Sequence, residues 1–145
     1  MTFDEYKETG AFVPSDLEIN VKTLGSSNDI NDHFINLLVF QAQLKIMHWG
    51  TESYAQHNAY GMTYESISEG LDALVESYQG YNSRINFGGT FEFGSFGSVD
   101  PMQWLKSILD CLNAMREMFD KSDLQNLTDE LIASVSKLMY LLSLK

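Results

Sequence analysis

Tyr60, Tyr64, Ile67, Leu71, Leu74 and Tyr78 recur in alternating steps of four and three. An α-helix gathers that spacing into one apolar stripe, and such a stripe must be covered by other elements. The spacing predicts a helix from the turn Gly50-Thr51-Glu52-Ser53, with Thr51 or Ser53 as its cap, to about Gln79, where Gly80 supplies a C-terminal stop. Gly61 and Gly70 interrupt this helix at roughly 1 kcal/mol each relative to Ala, which suggests that another group approaches closely there.

The segments on either side obey the same rule. A first helix is expected to begin near Ser27 or Asn28, with Asp29 and Asp32 placed favourably against its dipole. Ile30, Phe34, Leu37, Leu38, Gln41, Leu44, Lys45 and His48 share one face of it. Phe40, Ile46 and Met47 add apolar surface elsewhere, so this helix should be buried on more than one side. Asp100-Pro101-Met102-Gln103 opens a third helix with a capping residue and a proline at the first helical position. Trp104, Leu105, Ile108, Leu112, Met115 and Phe119 form its expected core face. Ser122-Asp123-Leu124-Gln125 reads as a second capping box, followed by a seam at Leu124, Leu127, Leu131, Val135, Leu138 and Leu142.

Between the second and third helices, Phe87-Gly88-Gly89-Thr90-Phe91-Glu92-Phe93-Gly94-Ser95-Phe96-Gly97 breaks every period. A loop this long is uncommon in a compact domain, and its phenylalanines argue for packing. Short, long, short connections give an all-α, ferritin-like four-helix bundle with a long crossover between helices two and three. Residues 27–145 form this bundle, and residues 1–26, punctuated by Pro14 and Gly25, read as an extended N-terminal arm.

Twenty acidic against nine basic residues give a net charge of −11. That balance excludes nucleic acid as a partner, because such affinity comes from Lys and Arg neutralising phosphates. No apolar run is long enough to cross a membrane, and the acidic N-terminus lacks the order of a secretory signal. The single cysteine, Cys111, has no partner for an internal disulfide, and its place in a helix suits a core residue in a reduced, cytoplasmic setting. His33, near the start of the first helix, reads as a surface residue.

The chemistry-bearing residues gather between His48 and Glu76. At 100° per residue from Leu71, His57 falls about 40° from the seam, Asp72 about 100°, Glu65 about 120° and Glu76 about 140°. Imidazoles and carboxylates of this kind suit iron or zinc. Position alone favours a solvated acidic face whose His57 finds a hydrogen bond. An internal di-iron site is excluded, since Glu-x-x-His occurs nowhere and the first helix has no carboxylate from Phe34 to Trp49.

His48-Trp49, then Tyr54-Ala55-Gln56-His57, then Asp72-Ala73-Leu74-Val75-Glu76 with Gly80 closing the helix, resembles the Dps mini-ferritins of the ferritin-like superfamily. The resemblance covers helices one and two, and the last two helices only by pattern. It implies a homo-oligomer formed through helix two, from a dimer up to a dodecamer, that oxidises ferrous iron and stores it. It also implies an intersubunit metal site, with His48 and His57 facing Asp72 and Glu76 of a neighbour. The family's acid one turn after the second histidine is Gly61 here, and Glu65, a turn further along, is the candidate replacement. The turn between the histidines is shorter than the family's, and the basic tail by which some members hold DNA is missing. The alternative expectation is a ferritin-like bundle without metal chemistry, acting as an oligomeric structural or interaction protein. A bundle holding zinc or another cation without redox turnover is a third.

Overall fold

The computed structural model describes residues 29–145. The arm read over 1–26 and the capping candidates Ser27 and Asn28 lie outside them. The described residues are all-α, with helices α1 (Ile30–Gly50), α2 (Tyr54–Tyr81), α3 (Pro101–Met118) and α4 (Ser122–Ser143), one short 3-10 turn at Phe96–Ser98, and no strand.

The starts of these helices follow from their side chains. Asp29 caps α1 by accepting from the Asn31 N–H at 2.9 Å. Ser53 caps α2 by accepting from Gln56, and Asp100 caps α3 by accepting from Gln103 with Pro101 behind it. Two expectations are corrected here. α2 runs through Gly80 to Tyr81, because the Asn82 N–H still reaches the Tyr78 carbonyl and nothing crowds Gly80. α4 already begins at Ser122, so Ser122 is no cap, and the Gln125 side chain donates to the Phe119 carbonyl instead.

Each helix in a bundle must cover its apolar stripe with its neighbours. The helices adjoin one another in the order α1, α2, α4, α3. α1 and α2 form an antiparallel hairpin. His33 meets Cys111 and Phe40 meets Trp104, so α3 also runs against α1. Tyr81 donates to Asp123 and Gly70 lies under Leu131, so α4 runs against α2. It follows that α2 and α3 are parallel, and residues 82–100 must return along the whole bundle.

That crossover lies along α1. Phe87 sits near Phe34 and Leu38, Gly94 meets Gln43, and Phe96 packs on Gly50. Gln43 is fully buried and clamps the loop by two hydrogen bonds. Its Nε2 donates to the Gly94 carbonyl and its Oε1 accepts from the Gly94 N–H, both at 2.9 Å. A side-chain amide thus completes a buried loop backbone that has no strand to pair with.

The expected seam of α3 is buried, and so are Leu124, Leu131, Val135 and Leu138 of α4 and Tyr60, Ile67, Leu71 and Leu74 of α2, while Leu127 and Leu142 are half-buried. α1 differs. Its core side is Phe34, Leu37, Phe40, Leu44 and Met47, whereas Leu38 is 42% exposed and Gln41, Lys45 and His48 flank the seam with α2. His33 is also corrected, being buried at 1% exposure with Nδ1 3.2 Å from the Cys111 sulfur. Burial pushes the Cys111 thiol up to about 12, which keeps it protonated and makes it a core residue instead of a nucleophile.

Candidate functional site

The α1–α2 turn brings two of the three histidines together. His48 stands in the last turn of α1 and His57 in the first turn of α2. Thr51 and Ser53 set the corner. The Thr51 hydroxyl accepts from the Ser53 N–H and donates to Gln56. The two imidazoles then stack with centroids 3.7 Å apart and planes 20° from parallel.

Their hydrogen bonds are reciprocal. His48 Nδ1 donates to the His57 carbonyl at 2.7 Å, and His57 Nδ1 donates to the His48 carbonyl at 2.8 Å. A carbonyl only accepts, so each ring carries a proton on Nδ1, and the neutral form of each keeps its lone pair on Nε2. The pair therefore pins the C-terminus of one helix to the N-terminus of the next.

Gly61 makes that stack possible. A Cβ there would lie 2.9 Å from His48 Cε1 and 3.0 Å from Nδ1, inside the contact distance of the ring. As a position it looked like a lost ligand; in the structure it is the space occupied by the first histidine. Gly61→Ala should gain up to about 1 kcal/mol of helix propensity. It should lose a hydrogen bond and a ring stack of about the same worth each. Stability should fall on balance by about 1 kcal/mol, while nitrogen-15 spectra should show His48 leaving its Nδ1–H form. Unaltered imidazole resonances in that variant would contradict the packing.

The carboxylates do not join the histidines within one chain. Glu65, Asp72 and Glu76 are exposed on α2. At 1.5 Å of rise per residue, Asp72 stands about 22 Å along the helix from His57, and Glu65 about 12 Å. Among the described residues no three His, Cys, Asp or Glu side chains gather. Nor does the imidazole pair form a chelate as it stands. Its lone pairs lie in two nearly parallel planes, which do not converge at a metal–nitrogen distance of about 2 Å. α2 further carries Glu65, Glu69, Asp72 and Glu76 with no Lys or Arg to offset them.

Around the pair the surface is unusually apolar. Trp49 is 72% exposed and Tyr54 80%. Leu38, Val39, Ala42, Ile46 and Trp49 of α1, walled by Tyr64 and by Phe91 and Phe93 of the crossover, line a groove of about 470 Å³. Periodicity did not single out this strip, although the carboxylate-free run from Phe34 to Trp49 was a usable signal.

The family match begins at the same residue as the site. A family model described as a family of unknown function (DUF5856) matches residues 48–142. The chain is 28% identical over 115 residues to the "Uncharacterized 14.6 kDa protein in mobD-ri intergenic region" of Enterobacteria phage T4, covering 79% of this chain and 88% of that protein. No solved structure matches. The matched span takes in His48, all of α2 and α3 and nearly all of α4, and the chain belongs to the DUF5856 family.

Proposed function

We propose that this protein is a ferritin-like bundle that works as an oligomeric structural or interaction protein, without metal turnover of its own. The observation that carries this reading is the reciprocal histidine clasp. Both Nδ1 protons are committed to backbone carbonyls across the α1–α2 corner. The rings are used against each other, and Gly61 is shaped to them. α1 carries apolar residues beyond its core side, and the exposed Leu38 and Trp49 among them add a surface suited to assembly.

A second reading keeps the iron. The Nδ1–H form leaves both Nε2 atoms as ligands, and hydrogen bonding of the other ring nitrogen is the usual way a protein orients a metal-binding imidazole. Two copies with antiparallel α2 helices would set His48 and His57 against the neighbour's Asp72 and Glu76, and one ring would have to turn. Ferrous iron would then be the substrate of an intersubunit ferroxidase.

Light scattering of the pure protein, with ferrous ion added aerobically and followed by absorbance, separates the two. The expected result is an oligomer that oxidises ferrous ion no faster than a protein-free control. Oxidation above that control, abolished by His57→Ala or Asp72→Ala, would establish the iron reading. A monomer at about 100 µM would overturn both.

A further inference from the structure

We propose that two copies of this chain pair through the outer face of α1, antiparallel about a dyad at Ala42, with the crossover walling the contact. The inference rests on the assembly reading above and names its surface, which is α1 instead of the acidic face of α2.

Charge decides between the two helices. A chain of net charge −11 repels its copies, so a contact between them must avoid carboxylates. A dyad on α2 would bring Glu65, Glu69, Asp72 and Glu76 of both copies together with no cation on either helix. The outer face of α1 has no carboxylate from Phe34 to Trp49 and one cation, Lys45. It is also the side of α1 that the bundle leaves open. Leu38, Ala42, Lys45 and Trp49 repeat in steps of four, three and four on a strip turned away from Phe40 and Met47, with Leu38 and Trp49 exposed and Ala42 and Lys45 half-buried.

The face is complementary to itself. An antiparallel pairing about Ala42 sets Leu38 against Ile46 of the second copy, and Ile46 against its Leu38. Ala42 faces Ala42, where a small side chain allows helix axes to approach to about 8 Å. Lys45 then lies over Val39 of the second copy, toward the Leu38 end of its groove. A second depression of about 430 Å³ continues there, with Glu69 and Asp72 on its rim beside Leu38 and Phe87. Lys45 now rests over the Tyr64 ring at 4.3 Å, a position from which its flexible stem can swing out to those acids. Two symmetric Lys–carboxylate contacts would ring an apolar centre, the arrangement of a closed two-fold interface.

The test uses the full chain. Ala42→Cys should form an intermolecular disulfide under mild oxidation, read on a non-reducing gel, since buried Cys111 does not compete. Ile46→Asp should dissociate the assembly with helical circular dichroism retained, and Lys45→Glu should weaken it by about tenfold. Met62→Asp, on an exposed part of α2, should leave assembly unchanged. If Ile46→Asp does not fold, the cysteine cross-link and Lys45→Glu decide. An oligomeric wild type in which Ala42→Cys fails to cross-link and Lys45→Glu has no effect would overturn this interface and leave the assembly reading standing. A monomeric wild type would overturn both.

Discussion

Phe40→Ala should lower the stability of this protein by about 3–5 kcal/mol, whereas Leu38→Ala should cost less than about 1 kcal/mol in dilute solution. Phe40 is 1% exposed and packs on Trp104 with ring centroids 5.0 Å apart, at the contact of α1 with α3. Removing its ring loses the transfer energy of a large apolar side chain and leaves a void that neighbouring helices cannot close. Leu38 stands on the opposite side, 42% exposed. Dilution matters because any contribution of Leu38 to pairing disappears there. Denaturant titration of both variants checks the difference, and the midpoint of thermal unfolding should fall by on the order of 10–20 °C for Phe40→Ala alone. Equal losses would mean that α1 is rotated from the orientation described.

Gln43→Leu should cost about 2–5 kcal/mol, because the N–H and the carbonyl of Gly94 both lose their partner while remaining enclosed. Gly94 is buried, and Gln43 supplies both hydrogen bonds. The damage should be uneven. The crossover has little else to hold it at mid-length, so it should open before the helices do. Chymotrypsin should then cut at Phe87, Phe91, Phe93 or Phe96 under conditions in which the wild type is resistant. Uniform destabilisation with no new cleavage would show that the clamp is not what holds the loop.

These two cases mark how far residue order could be read. The seam of α2 from Tyr60 to Tyr78 was legible, and so were those of α3 and α4, because each helix has one apolar and one polar side. The caps at Ser53 and Asp100 were legible for a local reason, since a side-chain oxygen reaches an N–H only two or three residues ahead. α1 was not legible in that way. Apolar residues lie all around it, and periodicity reports only a contrast between faces. Leu38 and Lys45 were therefore assigned to a core face that Phe40 and Met47 occupy.

The candidate site divides along the same line. His48 and His57 stood out by type and spacing, and the separation of Asp72 from His57 follows from helical rise alone. That the rings stack, that each donates to the other's backbone, and that Gly61 is open to receive His48 depend on how two helices meet at a corner of three residues. His33 looked like a surface residue near a helix start and became a buried neighbour of Cys111 only through the packing of α3 on α1. Sequence by itself determined four helices, their order and three of their buried faces, since those are properties of one segment and its contrast with water. Tertiary structure decided the rotation of α1, the path of the crossover and the partner of each histidine, because each is a contact between segments that no local pattern encodes.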